Sequence, residues 1–369
     1  MATTTGRRLR GALLAHVQTW RPYTLWYVGL LGLAGAGLTG ARHDWRWLLA
    51  AWAAPTIGWL GGHYLGDWFD RRLDAIGKPH RPIPSGRLHP TVALVCGIGC
   101  LTVVGALAVA GGPRTELVAL LAAGGIVAYS RGLKARGLAG NLVRGVLGAL
   151  ALLYGALLAP GPYLWVLVPF IVAIWSHDTA SNLVGTLRDV VGDRAGGYRT
   201  LPVQHGNRVA ISTATGFYLL TLAAALVGGL VAPAGAIHPD GRVLYLGLLA
   251  VIAVAGLAIF RTLHKHRTDL PVRTALRAHE LLVLERIGLA GALVALGFGV
   301  VRTAALLLPI LVLTWWTQAR MRVGYELGPV PVGAATADPD PATSMPPAAA
   351  GPGKAQIDLV ALPHLPEHS

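Results

Sequence analysis

Long apolar runs separated by short polar connections dominate the chain. They fall at 22–40, 46–65, 90–111, 115–129, 141–160, 162–187, 207–232, 243–260, 282–301 and 303–318. Most come near the ~20 residues a helix needs to cross hydrocarbon. Only Arg302 and Thr303 separate the last two runs, so the pattern predicts nine or ten transmembrane helices. The expected fold is all-α, a polytopic membrane helical bundle. A segment at 1–21 precedes it, the transmembrane domain covers 22–320, and a tail covers 321–369. Residues 328–369 are rich in Pro, Ala, Gly and Ser with few aromatics, so the tail is expected to be disordered.

Composition agrees with this pattern. Of the 369 residues 54% are hydrophobic and 13% charged, against about 25% charged in soluble domains. A water-soluble enzyme is thereby excluded. The net charge of +14 would suggest nucleic acid in a soluble domain, but in a membrane protein basic residues collect in cytoplasmic loops. With the first residues placed in the cytoplasm and the spans alternating, all but five of the 31 Lys and Arg fall inside. The exceptions are Arg42, Arg46, Arg114, Arg242 and Arg302. That bias predicts ten spans with both ends inside, a multi-pass location in the cell membrane, and no nucleic-acid partner. No cleaved signal peptide is read in the basic N-terminal segment. Cys96 and Cys100, four apart in an apolar run, read as packing residues.

The long inside loops at 66–89, 188–206 and 261–281 are where function is expected, facing the cytoplasm. At the inside end of the second run, Asp67, Asp70 and Asp74 are spaced three and four apart. If the helix continues, they share one face. At the inside end of the sixth, Asp189 and Asp193 are four apart and also share a face. Carboxylates one turn apart repel unless a cation lies between them. Hard divalent cations suit such oxygens, Mg²⁺ above all, with phosphate oxygens completing the shell. Lys78, Arg81 and Arg87 follow the first cluster; Arg194 and Arg199 follow the second; Arg131 and Lys134 lie in a loop between them. Acids followed by bases at a membrane face fit a metal-bound diphosphate whose isoprenoid chain lies in hydrocarbon. A solvated helix end is the bland alternative for either cluster alone. In the sixth helix His177, Asp178, Ser181 and Asn182 form a polar stripe, and 178, 182, 185 and 189 follow one face. Intramembrane ionisable groups are functional by default. The stripe is expected to line the acceptor end, with His177 and Asn182 in the acceptor pocket and Asp178 or His177 as a base. Helix packing is the competing explanation.

These residues carry a resemblance to the UbiA superfamily of intramembrane prenyltransferases. Asp70-Arg71-Arg72-Leu73-Asp74, with Lys78-Pro79-His80-Arg81-Pro82-Ile83-Pro84-Ser85-Gly86, resembles the first signature. Asp189-Val190-Val191-Gly192-Asp193-Arg194, continuing to Arg199-Thr200-Leu201-Pro202, resembles the second. Tyr129-Ser130, Leu133-Lys134 and Asn141-Leu142 resemble the segment after the fourth helix. The resemblance implies a bundle around a central cavity open to lipid. It implies Asp70, Asp74, Asp189 and Asp193 as catalytic metal–diphosphate ligands. Lys134, Arg81 and Arg199 are implied as phosphate contacts, which Lys78, Arg131 and Arg194 join on chemical grounds. The partners so implied are a prenyl diphosphate and a lipophilic acceptor. The family's leading Asn position is Gly66 here, with Asp67 beside it as a substitute metal ligand, and Thr186 stands where many members carry Asp or Asn. The expected activity is Mg²⁺-dependent transfer of a prenyl group to an aromatic or other lipophilic acceptor within the membrane. The alternative is a terpene cyclase that ionises the same diphosphate without an acceptor. A transporter would use the acid pairs for a carried cation.

Overall fold

The computed structural model describes residues 2–39, 44–158, 161 and 163–328, with side chains from Arg10 onward. The helices are α1 (Ala2–Trp20), α2 (Pro22–Thr39), α3 (Trp45–Gly77), α4 (Pro90–Gly111), α5 (Pro113–Arg131), α6 (Ala139–Leu158), α7 (Leu167–Thr186), α8 (Val190–Ala195), α9 (Leu201–Val231), α10 (Gly241–Lys265) and α11 (Val272–Leu327). Each of the ten apolar runs lies on a helix, α11 holding the last two. Among the described residues six helices are long and apolar enough to cross a membrane by length and composition alone: α4, α6, α7 with its preceding turn, α9, α10 and α11. Their outward faces carry exposed apolar side chains such as Val109, Val254 and Val301, as a lipid-facing surface requires.

Local chemistry sets the helix ends. Proline opens α2, α4 and α5, where its missing N–H costs nothing. Asp44 caps α3 by accepting from the Arg46 backbone N–H. Gly299, at φ 78°, breaks α11 into two helices that fold back on each other. The turn is clamped because the Asp240 carboxylate accepts from Val300 N, and a Cβ at Gly299 would collide with Asp240 and His238. The reversal thus falls at Gly299 rather than at Arg302-Thr303. Gly206, at φ 79°, separates a first turn of α9 from its long span.

Two features of the connections differ from expectation. The helix after Gly299 stays ordered through Leu327, so residues 321–327 belong to the bundle and not to a tail. The remainder of the expected tail, 329–369, lies outside the described residues. The all-α expectation also omits one small element. β1 (Arg136–Gly137) and β2 (Arg199–Thr200) pair in parallel, joining the loop after α5 to the loop after α8.

Small residues let the central helices approach closely. A Cβ on Gly32 of α2 would strike Ala51 O of α3, one on Gly155 of α6 would strike Gly32 O, and one on Gly35 would strike Leu152 O. Backbone approach of this kind is how helices pack in lipid, where burial of apolar surface supplies little drive. Gly32→Val should cost about 1–3 kcal/mol or more, seen as a lower unfolding midpoint in detergent. Gly99→Val, where no atom lies within 4 Å of the added carbon, should leave the midpoint unchanged.

Candidate active site

The apolar run of α3 ends near Leu65, but the helix continues for three more turns to Gly77. That extension carries Asp67, Asp70 and Asp74 on one face, as the spacing predicts. The second cluster is built differently. α7 stops at Thr186, and Asp189 is the N-cap residue of the short α8, within which Asp193 lies. Both clusters nevertheless line one cavity of about 460 Å³ at the same end of the bundle. Asp67, Asp70, Asp74, Asp189 and Asp193 all face it, together with Lys78, Arg81, Lys134 and Asn182.

The charges interlock. Arg81 Nη1 donates to both Asp74 oxygens at 3.0 Å. Lys78 Nζ lies 2.9 Å from Asp189 Oδ1, tying the first signature to the second. Lys134 pairs with Asp70. Asp67 pairs with Arg21 and accepts from the Tyr325 hydroxyl at 3.0 Å, so both of its oxygens are engaged by protein donors. Arg21 reaches it from the junction of α1 and α2, where it adopts φ 48°, a left-handed conformation that costs about 1–3 kcal/mol in a non-glycine residue. Among the described residues Asp193 has no cation partner. It accepts from Thr200 Oγ1 at 3.2 Å, and Thr200 is held by the β1–β2 pairing. Burial, and then the neighbouring Asp189 charge, push the Asp193 carboxyl up to about 6. Burial alone would raise Asp189 as well, but Lys78 and Arg188 hold it below the usual carboxylate range. Burial draws the Lys134 ammonium down to about 8.

Several expected residues stand elsewhere. Arg131, Arg194 and Arg199 are exposed and outside the cavity. Arg131 ends α5 roughly 100° around the helix from the lining residue Ser130. Arg199 alternates with the inward Thr200 along β2 and therefore points out. Arg87 is exposed too, donating to His80 O and Gln18 Oε1. Asp178 and His177 are buried but do not line the cavity. Asp178 accepts from the Tyr27 hydroxyl at 2.8 Å and lies 3.5 Å from Arg286 Nη1. His177 faces Glu285 at 3.7 Å and the Tyr218 ring. Their expected base role therefore lacks access to the hollow, because groups from α2 and α11 cover them. Of the stripe, Asn182 alone reaches the cavity, accepting from Asn141 Nδ2 at 2.9 Å.

Cations missed in the sequence complete the walls. Arg144 and Arg286 line the cavity beside Trp59. The Arg144 guanidinium stacks 3.5 Å over the Trp59 ring and Arg286 lies 4.5 Å over Tyr27. Both sit inside apolar runs, which is the signal that could have found them. Arg21, Arg188 and Arg322 also face the hollow. Arg188 directly precedes Asp189, whereas nothing local in the sequence distinguishes Arg21 or Arg322.

The donor chemistry suits a diphosphate-linked divalent ion better than a protein-only metal centre. Among the described residues no three His, Cys, Asp or Glu side chains close on one point. There are instead two carboxylate pairs, one on α3 and one at α8, with cations around them. Mg²⁺ commonly takes one or two carboxylates and fills its octahedron with phosphate oxygens and water, and the residues present fit that demand. Asp67 fits least, since both its oxygens are already engaged.

A bundle of apolar helices thus encloses one hollow lined by two aspartate pairs and a cationic rim. Residues 25–282 match the UbiA prenyltransferase family, and the chain belongs to it; the enzyme is a prenyltransferase. The digeranylgeranylglyceryl phosphate synthase of Ignicoccus hospitalis is 33% identical over 293 residues, 77% of this chain and 92% of that protein. The protein of the same name from Methanopyrus kandleri is 33% identical over 205 residues, 55% of this chain and 74% of its own. Among solved structures, a UbiA homologue from Archaeoglobus fulgidus bound to GPP and Mg²⁺ superposes with a TM-score of 0.59 at 16% identity, over 76% of this chain and 100% of that one. The fold is thus shared, and this chain carries segments that neighbour lacks.

Orientation of the cations yields a test. Lys134→Ala should weaken binding of Mg²⁺-pyrophosphate about tenfold or more, measured by calorimetry. Arg131→Ala and Arg194→Ala, on outward side chains, should change it less than about twofold.

Proposed function

We propose that the enzyme transfers a prenyl group from a prenyl diphosphate to a lipophilic acceptor bearing an anionic headgroup, a glyceryl phosphate lipid above all. The single observation behind this reading is that both aspartate pairs and the cations Lys78, Arg81 and Lys134 face one hollow. The acceptor class is supported by the relatives' names and by the cationic floor of Arg144 and Arg286. In this reading Asp70, Asp74, Asp189 and Asp193 hold Mg²⁺. Bound there with the diphosphate, Mg²⁺ supplies neutralisation of the leaving group's charge. Lys134, Lys78 and Arg81 donate to diphosphate oxygens as the allylic C–O bond breaks and negative charge builds on them. Trp59, Tyr129 and Tyr198 line the same hollow, excluding water from the allylic cation and presenting aromatic faces to it. The acceptor hydroxyl oxygen forms the new bond to the allylic carbon, and its proton leaves with the released pyrophosphate. Asp178, packed against Tyr27 and Arg286, positions that floor rather than taking the proton. The Lys and Arg distribution supports a cytoplasmic mouth for the cavity.

Purified enzyme with Mg²⁺ and prenyl diphosphates of graded length should release pyrophosphate and prenylate a glyceryl phosphate lipid in preference to a panel of phenolic acids. A cyclic hydrocarbon or alcohol formed without acceptor would instead establish the cyclase. Asp70→Asn and Asp189→Asn should each lower kcat/KM by about 10² or more. Arg144→Met should raise the acceptor KM by roughly 10–100-fold and leave the KM for prenyl diphosphate within about twofold.

A further inference from the structure

The helix after Gly299 returns to the mouth of the cavity and places its last two turns inside it. Arg322, Glu326 and Leu327 are lining residues, and all three lie beyond the stretch matched by the family, 25–282. Glu326 is buried there among three cations. Its Oε2 lies 3.0 Å from Lys78 Nζ and 3.0 Å from Arg81 Nη2, and its Oε1 lies 3.0 Å from Arg188 Nη2. Lys78 and Arg81 come from the loop after the first aspartate cluster; Arg188 immediately precedes the second. One carboxylate thus bridges the two signature regions through the very donors a diphosphate needs.

The neighbouring residue anchors this arrangement. Tyr325 donates its hydroxyl to Asp67 Oδ2 and accepts from Arg21, and its backbone oxygen is 3.0 Å from His80 Nε2. Its ring lies under the Arg21 and Arg81 guanidinium groups, 4.7 and 4.5 Å from the centroid. The helix ends directly afterwards, where Gly328 takes φ 83°. Only the last turns enter the cavity. Further back the same helix is held to its hairpin partner where Gln318 Nε2 donates to Glu280 O, and Arg322 bonds to His279 across the same hairpin. Release of the tip would break the Tyr325 contacts together with the three ion pairs of Glu326.

The same cations also pair with Asp74 and Asp189, so Glu326 completes an even balance of three positive and three negative charges, and a multiply charged anion arriving with its own Mg²⁺ competes with Glu326 for the same donors. We propose that Glu326 is a built-in occupant of the diphosphate site, a latch that keeps Lys78, Arg81 and Arg188 neutralised and in register until Mg²⁺-diphosphate displaces it. This inference rests on the diphosphate reading of the cavity. It makes Glu326 a positioning residue with a defined cost: substrate must break three ion pairs to bind. A purely supporting role, in which Glu326 preorganises the cations for substrate, has the opposite sign.

Mg²⁺-pyrophosphate is titrated by calorimetry into the full-length wild-type chain and into Glu326→Gln. The latch requires the variant to bind about tenfold more tightly; equal or weaker binding overturns it. If neither protein binds pyrophosphate, the diphosphate reading itself fails; if the wild type binds and the variant gains nothing, the latch alone fails. A second readout does not depend on that variant folding. With Cys96 and Cys100 replaced by alanine, a spin label at Val323→Cys, an exposed position on the same turns, should gain mobility when Mg²⁺-pyrophosphate saturates the site. A label that stays equally immobile overturns displacement, whatever the variant's affinity.

Discussion

Charge balance in a low-dielectric hollow governs this molecule. Five aspartates, a glutamate and several guanidinium and ammonium groups converge where apolar helices end, and an ion left unpaired there would cost several kcal/mol. Most of these groups are tolerable because another element delivers a counter-charge: Arg21 from before α2, Lys78 and Arg81 from the loop after α3, Lys134 from the loop after α5, Arg188 from just after α7, and Glu326 from the end of α11, while Asp193 is held by the Thr200 hydroxyl. The site is therefore also a fastening for the helices around it. Their apolar surfaces, facing lipid, hold them together only weakly, and close backbone contact at Gly32, Gly35 and Gly155 supplies the remainder of the cohesion.

The same balance explains what the sequence could and could not reveal. Apolar runs read as helices because length and hydropathy are local properties, and each run is found on a helix. Asp67, Asp70 and Asp74 share a face because helical periodicity is local too. Asp189 and Asp193 were legible as a pair, although a break before α8 rather than a continuous helix presents them. Side-chain direction in a loop is another matter. Arg199 points out because β2 pairs with β1, more than sixty residues away in sequence, and no periodicity within residues 188–206 encodes that partner. Arg131 looked equivalent to Lys134 by chemistry, yet one ends a helix on its outer face and the other turns inward.

Asp178 shows the limit most clearly. An acid within an apolar run is a strong sign of function, but its role depends on what faces it. Here Tyr27 and Arg286, contributed by α2 and α11, enclose it beneath the floor. Glu326 is the opposite case. It lies in a stretch whose polarity suggests departure from the membrane, and only the reversal at Gly299 returns it to the centre. Both outcomes arise from contacts between residues more than a hundred positions apart.

The two-residue parallel ladder between β1 and β2 has a mechanical consequence out of proportion to its size. It couples the segment bearing Lys134 to the segment bearing Asp193, through residues more than sixty positions apart in the chain. Because Thr200 belongs to that ladder and its hydroxyl bonds Asp193, the main chain itself ties the place of the Asp193 carboxylate to the backbone just past Lys134.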